Sequence, residues 1–127
     1  ELDTLEKLAE LLESQKAFSL SAVSLGTFAN EQGVLFLGAA MNQDLLNFHQ
    51  SVYTCLTNDG YELSSYYMPG CWVPHITLAT KFTREQLAQA FEKLELNLPA
   101  EMVVSRLALV KYPAPVERLQ TWQFNTP

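Results

Sequence analysis

Three stretches of the chain repeat their apolar residues at intervals of three and four, the spacing of one buried face of an α-helix. The first helix is predicted at the start of the chain, with Asp3 and Glu6 as a capping pair. The second is predicted over residues 42–56, and the third begins at Thr83, which is spaced from Gln86 as in a capping box. Their apolar stripes are Leu2, Leu5, Leu8 and Leu12; Leu45, Phe48, Val52 and Cys55; and Leu87, Ala90, Phe91 and Leu94.

Further stretches are rich in β-branched and aromatic residues and are bounded by turn-forming residues, which predicts β-strands. They cover residues 18–28, 34–40, 63–68, 72–80, 102–112 and 119–125, of which 63–68 is a shorter candidate. No Gly/Ser linker or low-complexity tract divides the chain, so the pattern indicates a single domain.

Two of these predicted strands, residues 18–28 and 102–112, match in character at a constant offset of 84 residues. The matched pairs are Phe18/Met102, Leu20/Val104, Ser21/Ser105, Val23/Leu107, Leu25/Leu109 and Phe28/Tyr112. Each strand follows an amphipathic helix and precedes a turn and another strand. This order predicts an internal repeat in which only the second copy has a leading strand, over residues 72–80. Chance similarity between two amphipathic strands is the alternative.

That leading strand contains the sequence PHITLATK at residues 74–81, where the most reactive side chains of the chain are found. Side chains alternate between the two faces of a strand. If the strand stays regular to residue 81, one face carries His75, Thr77, Ala79 and Lys81, and the other directs Ile76 and Leu78 into the core.

The first face combines three groups that suit phosphate chemistry. The imidazole of His75 exchanges a proton near neutral pH, and the hydroxyl of Thr77 can donate a hydrogen bond to a phosphate oxygen. The ammonium of Lys81 can offset phosphate charge. A half-exposed strand with a polar face and no catalytic role is the alternative interpretation.

Composition narrows the range of partners. The chain has 127 residues, of which 48% are apolar and 17% charged, and its net charge is -6. This length can bury a core without disulfides or metal. An acidic chain is unsuited to non-specific binding of long nucleic acids, because phosphates are neutralised by clustered Lys and Arg, but a small phosphorylated ligand in a locally positive cleft is compatible. No apolar run reaches membrane-spanning length, so no membrane partner is expected.

The two cysteines, Cys55 and Cys71, make neither a disulfide framework nor a metal site, and two thiols are typical of a cytoplasmic protein. The sequence also lacks a Gly-rich phosphate loop and the Cys/His spacing of a metal site.

The segment PHITLA at residues 74–79 resembles the second His-x-Thr/Ser motif of the 2H phosphoesterases, a superfamily that includes the so-called 2'-5' RNA ligases and the cyclic-nucleotide phosphodiesterases of the LigT type. The resemblance extends over nearly the whole chain, because the segments fall in the family's order. These segments are the strands at residues 18–28 and 33–38, the helix near residues 47–49, the motif, and the closing helix-strand-strand.

The resemblance implies a bilobal α+β fold with pseudo-twofold symmetry, in which antiparallel sheets are flanked by helices. It implies a single domain over residues 1–127, with a first lobe over about 1–60 and a second over about 61–127. Each lobe presents one His-x-Thr/Ser strand to a central cleft. Two histidines act as general acid and base on a phosphodiester or 2',3'-cyclic phosphate, two hydroxyls hold the phosphate, and no metal or other cofactor is needed.

On this sequence the second motif corresponds to His75 and Thr77. Lys81 and Tyr112 are the candidate substrate-binding residues, the tyrosine because an aromatic ring near a strand end can stack on a base. Packing at the edge of the sheet is the alternative for Tyr112, as it is for Tyr66 and Tyr67.

The first motif is absent from the sequence. His49 and Ser51 form the letters His-x-Ser, but on a helix their side chains lie about 200° apart and cannot hold one phosphate as strand neighbours do. We interpret His49 as a helix-surface or edge residue. The repeat places the missing motif roughly 5 to 10 residues before Glu1, within an absent segment on the order of 40 residues, so the first lobe is expected to lack its leading strand and the chain to be incomplete at its N-terminus.

Three functions are therefore considered. The first is a metal-independent phosphodiesterase, similar to the 2'-5' RNA ligases, that acts on RNA ends with a 2',3'-cyclic phosphate or on a small cyclic nucleotide. The second is a non-catalytic module on the same fold that binds a nucleotide or an RNA end. The third is an interaction domain without phosphate chemistry, a hypothesis based on the net negative charge of the chain. The oligomeric state is not predicted.

Overall fold

The computed structural model describes residues 2–111 and 115–126. Its helices are α1 (Leu2–Glu13), α2 (Gln43–Asn58) and α3 (Arg84–Lys93), with a short 3-10 helix at Ser65–Tyr67. Its strands are β1 (Phe18–Thr27), β2 (Leu35–Ala39), β3 (His75–Ala79), β4 (Ala100–Val104), β5 (Arg106–Lys111) and β6 (Glu117–Gln123). A four-stranded sheet has the order β3-β2-β1-β4, and β5 and β6 form a separate two-stranded sheet.

The chain forms two compact units, each discontinuous in sequence. The first unit consists of Glu1–Ser19, Gln43–Cys71 and Val103–Pro127, and the second of Leu20–Asn42 and Trp72–Met102. The lobe boundary near residue 60 stays a prediction.

An aromatic and aliphatic core holds the first unit together. Leu8 and Leu12 are buried on α1, as the apolar spacing predicts. The ring of Phe48 on α2 packs against Phe18 and Phe124, with centroids 5.8 and 5.1 Å away. Helices α1 and α2 are therefore fixed by burial of their apolar stripes, which is the usual source of helix stability in small domains. The predicted buried face of α3 is wrong, because no residue of α3 is buried and Phe91 and Leu94 are 43% and 45% exposed.

Two strand pairs build the second unit around the site. β1 pairs with β2, and β2 with β3, both antiparallel. Gly33 takes a φ of 62° ahead of β2, and a Cβ there would collide with the backbone of Phe82. The N–H of Phe82 donates to the carbonyl of Gly33 at 3.1 Å. Only glycine combines this conformation with so close an approach, and the contact ties the turn before β2 to the segment after β3.

The start of α3 agrees with the sequence prediction. Thr83 accepts a hydrogen bond from the N–H of Gln86 at 3.1 Å, and the Gln86 side chain accepts one from the N–H of Thr83 at 2.9 Å. The capping box is thus confirmed. The predicted cap of α1 is wrong, because the helix begins at Leu2 and Asp3 lies inside its first turn.

Two strand predictions need correction. Residues 63–68 form no strand, because Ser64 accepts a hydrogen bond from the N–H of Tyr66 and starts the 3-10 helix. The predicted strand 102–112 is interrupted at Ser105, whose carbonyl accepts hydrogen bonds from the N–H of Phe124 and the side chain of Gln123. The two parts, β4 and β5, belong to different sheets.

The predicted offset of 84 residues coincides with the strand pairing at one residue pair. The part of β1 that pairs with β2 begins at Ala22, opposite Ala39. The corresponding residues of the second copy, Arg106 and Gln123, are opposite each other at the open end of the β5–β6 pair. Both hairpins are antiparallel and each contains one shift of register. Beyond this pair the registers diverge, because Ser24 is opposite Gly38 whereas Ala108 is opposite Thr121 and not Trp122. The internal repeat therefore stays a prediction.

Candidate active site

His75 is the first residue of β3 and lies opposite Gly38 of β2. Its Nδ1 atom is 2.7 Å from the carbonyl oxygen of Val73. Because a carbonyl oxygen only accepts hydrogen bonds, Nδ1 carries a proton, and Nε2 holds the lone pair of the neutral imidazole. His75 is exposed. Its Nε2 is therefore the ring atom available to take up or release a proton.

Two phenylalanine rings fix the orientation of this imidazole. Phe28 meets it edge-on, with centroids 5.0 Å apart and planes at 84°. Phe36 lies 5.3 Å away at 59°, and the two phenylalanine rings are themselves 4.5 Å apart. Aromatic rings in such tilted and edge-on contacts attract one another beyond simple burial. The imidazole thus has an apolar wall on one side and a backbone hydrogen bond at Nδ1.

Thr77 lies on the same face of β3 as His75, as the alternation predicts. It is opposite Phe36, while His75 is opposite Gly38 two residues further along β2. Thr77 is exposed like His75. An imidazole and a hydroxyl are therefore presented side by side on one face, the arrangement that a general acid or base and a phosphate-binding donor require.

The predicted alternation does not extend beyond Thr77. The partner of Thr77 is Phe36 but the partner of Ala79 is Leu35, so one extra residue, Leu78, is accommodated on β3. This bulge moves Ala79 to the face opposite His75 and leaves Leu78 48% exposed. The predictions that Ala79 shares the face of His75 and that Leu78 points into the core are both wrong.

Lys81 lies beyond the regular strand, which ends at Ala79. It has a φ of 61°, and its N–H donates to the carbonyl of Gln32 at 2.9 Å. The strand therefore does not stay regular to residue 81, and alternation does not place Lys81 on the face of His75. Tyr112, the other predicted substrate-binding residue, lies outside the described residues.

The same face contains residues that the sequence analysis missed. Ser24 of β1 is opposite Gly38, and Gly26 is opposite Phe36. The face therefore extends from His75 over Gly38 to Ser24, so that a glycine and a serine lie beside the imidazole. Small residues on neighbouring strands are a signal for such a surface, but only the register, which depends on tertiary structure, shows that they lie beside His75.

His49 lies in the first unit, on α2. Burial lowers its pKa below the ordinary histidine value, and a hydrogen bond with the backbone of Tyr67 opposes that shift. Its ring stacks on Tyr53 with centroids 6.3 Å apart. The hydroxyl of Ser51 donates to the carbonyl of Asn47 at 2.9 Å. His49 and Ser51 thus make separate contacts on a helix.

A polar cluster joins α1 to the end of α2 in the first unit. The buried hydroxyl of Thr4 and the ammonium of Lys7 both donate to the carboxylate of Asp59. These hydrogen bonds hold the pKa of Asp59 below its ordinary value, and the same carboxylate raises the pKa of Lys7. A cavity of about 350 Å³ lies alongside. Lys7 and Asp59 form an ion pair with each other, which indicates a structural contact, and Asp3 also lines the cavity.

Two further findings concern the described part of the chain. Cys55 and Cys71 are free thiols. No helix among the described residues is both long enough and apolar enough to cross a membrane.

Comparison with known proteins identifies the family. The family model of the 2'-5' RNA ligase superfamily matches residues 2–115, so the chain belongs to this superfamily of 2H phosphoesterases. The crystal structure of a phosphoesterase is similar in fold, with a TM-score of 0.57, 19% sequence identity, and coverage of 98% of this chain and 71% of that chain. No significant match is found among curated proteins. The predicted α+β fold of the 2H phosphoesterases is thereby confirmed.

Proposed function

We propose that this protein is a metal-independent phosphodiesterase that acts on 2',3'-cyclic phosphate or 2'-5'-linked ends of RNA, or on small cyclic nucleotides. The observation that carries the proposal is the pairing of His75 and Thr77 on one exposed face of β3, with Nδ1 of His75 held by the carbonyl of Val73. Membership of the superfamily supports phosphoester chemistry at this pair.

In the proposed reaction, the oxygen of a water molecule bonds to phosphorus while the bond from phosphorus to one ribose oxygen breaks. One base takes the proton of the water and one acid gives a proton to the leaving ribose oxygen, so the charge balances. Nε2 of His75 serves as one of these two groups, and the direction of the reaction decides which. The hydroxyl of Thr77 donates a hydrogen bond to a non-bridging phosphate oxygen.

The second acid/base group is proposed to come from a first His-x-Thr/Ser motif, as the family resemblance implies. His49 is unsuited to this role because it stacks on Tyr53 and is half-buried on α2. Lys81 and Tyr112 are proposed as substrate-binding residues, the first as a cation for the phosphate and the second as a surface on which a base stacks. The proposed partners are an RNA end or a small phosphorylated nucleotide. The proposed location is the cytoplasm.

Hydrolysis of nucleoside 2',3'-cyclic monophosphates by the complete gene product tests the proposal. Thr77→Val is expected to raise KM about tenfold through loss of one charge-assisted hydrogen bond, while Thr77→Ser, which keeps the hydroxyl, stays near wild type. Equal KM values for both variants and the wild type would contradict the assigned role of Thr77.

A non-catalytic module that binds a nucleotide or RNA end is the second candidate. It is favoured by the presence of only one His-x-Thr pair on the strands of the described residues. Saturable binding of a 2'-phosphorylated nucleotide by the complete gene product, without turnover of any cyclic phosphate, would favour this module over the phosphodiesterase.

A further inference from the structure

Ser24 occupies a row of residues that leads directly to His75. Gly38 of β2 is opposite His75 on one side and opposite Ser24 of β1 on the other. Residues directly opposite each other in antiparallel strands place their side chains on the same face, with Cα atoms about 4.5 to 5.5 Å apart. The Ser24 side chain is therefore on the face of His75, two strands away.

The hydroxyl of Ser24 lies over the backbone of Gly38. A Cβ built on Gly38 would collide with Oγ of Ser24, so this oxygen occupies the space that a side chain at residue 38 would fill. The hydroxyl thus leans from β1 across β2, toward the side on which His75 lies. Gly38 is buried and Ser24 is exposed. Of these two residues, Ser24 is therefore the one that solvent and ligands can reach.

The neighbouring row shows that this arrangement is specific to Ser24. There, Gly26 of β1 is opposite Phe36 of β2, and a Cβ on Gly26 would lie 2.7 Å from the Phe36 ring. The ring lies over one glycine and the hydroxyl over the other. The surface next to His75 therefore has an aromatic part over Gly26 and a hydrogen-bonding part over Gly38, and each part occupies space that a side chain on the glycine would fill.

We propose that the hydroxyl of Ser24 is a further substrate-binding group, which donates a hydrogen bond to an oxygen of the phosphorylated ribose held by His75 and Thr77. This inference rests on the proposed function, because it takes His75 as the reacting group. Gly38 is the direct neighbour of His75 on β2, so a substrate that is held at His75 and extends toward β1 covers Gly38. The hydroxyl over Gly38 is then within reach of that substrate.

Two substitutions test the role of the Ser24 hydroxyl in different ways. Ser24→Ala removes it, and Gly38→Ala keeps it but adds a methyl group where it lies. Both are expected to raise KM for a nucleoside 2',3'-cyclic monophosphate about tenfold, with a smaller change in kcat, because a hydrogen bond made in both the ground and transition states affects binding more than turnover. Ser21→Ala is the matched control, since the Ser21 hydroxyl donates to the carboxylate of Glu101; it is expected to leave KM unchanged.

The experiment measures kcat and KM of these variants and of His75→Ala on the complete gene product, with circular dichroism to check folding. Raised KM in Ser24→Ala supports the inference even if Gly38→Ala fails to fold. Loss of turnover in His75→Ala together with a wild-type KM in Ser24→Ala would overturn this inference alone. Wild-type turnover in His75→Ala would instead overturn the proposed function.

Discussion

The ring of Phe28 stands edge-on to the imidazole of His75, with centroids 5.0 Å apart and planes at 84°. Phe28 follows β1 and His75 begins β3, so the contact crosses from one side of β2 to the other. It leaves the imidazole exposed while restricting its rotation. A group that must transfer a proton in a defined direction benefits from such restriction, because small displacements of a reacting group lower the rate steeply.

Phe28→Leu should therefore lower kcat, because it removes the aromatic ring that contacts the imidazole. The hydrogen bond between Nδ1 of His75 and the carbonyl of Val73 is kept in this variant. A fall of about 10- to 100-fold in kcat is expected, from the usual sensitivity of catalysis to misplacement. Steady-state hydrolysis of a nucleoside 2',3'-cyclic monophosphate measures it. Phe91→Leu, at an exposed position of α3, is the control and should keep the wild-type kcat. An unchanged kcat in Phe28→Leu would mean that the ring has no positioning role.

The turn at Gly33 is expected to be the glycine position most sensitive to substitution. Gly33→Ala forces alanine to a φ of 62° and brings its Cβ against the backbone of Phe82, so a loss of about 3 kcal/mol in the free energy of unfolding is expected. Gly60→Ala is the matched control, because Gly60 also has a positive φ but no atom within 4 Å of the added Cβ. It should cost only about 1 kcal/mol. Urea denaturation measures both, and equal losses would contradict the collision at Phe82.

Asp59 gives the first unit a stability that depends on pH. Its pKa is lower in the folded state than in the unfolded chain, because Lys7 and Thr4 donate hydrogen bonds to its carboxylate. The carboxylate therefore stabilises the fold above its unfolded pKa, and this contribution is lost as the pH falls through the folded pKa. Asp59→Asn should lower Tm at neutral pH, and the difference from wild type should shrink in acid.

Thermal unfolding followed over an acidic to neutral pH series measures that difference. Thr4→Val, which removes one buried donor to the same carboxylate, should cost about 1 to 2 kcal/mol at neutral pH. A Tm difference between Asp59→Asn and wild type that stays constant down to strong acid would show that the charge of Asp59 does not contribute.

Lys81 combines a proposed role in binding with an unfavourable backbone conformation. Lys81→Ala removes the ammonium and keeps the φ of 61° on a residue with a Cβ, whereas Lys81→Gly removes the ammonium and relieves the conformation. Both should raise KM for a cyclic nucleotide by a similar factor, most clearly at low salt. Lys81→Gly should be about 1 kcal/mol more stable than Lys81→Ala. Wild-type KM values in both variants would show that Lys81 does not contribute to substrate binding.

The sequence predicts those parts of the molecule that depend on local periodicity. Helices α1, α2 and α3, the cap at Thr83 and the shared face of His75 and Thr77 follow from residue spacing, and each is present in the structure. These features need no knowledge of which strands are neighbours, because helix periodicity and strand alternation act within one segment.

Features that depend on pairing between segments were missed or predicted wrongly. The bulge at Leu78 arises from the register of β3 against β2, and it reverses the side on which Ala79 lies. The row from His75 through Gly38 to Ser24 likewise exists only once three strands are aligned. A shift of one residue moves a whole strand's side chains to the other face, so alternation alone cannot assign neighbours on a sheet.

The proposed role of His75 is proton transfer by Nε2 in metal-independent cleavage of a phosphodiester. Its most direct test is the rate of hydrolysis of a nucleoside 2',3'-cyclic monophosphate by the complete gene product, measured with and without EDTA for wild type, His75→Ala and the control His49→Gln. This role predicts a loss of about 10² to 10⁴ in rate for His75→Ala only, and no effect of EDTA. Near-wild-type turnover in His75→Ala, or loss of wild-type activity in EDTA, would contradict it.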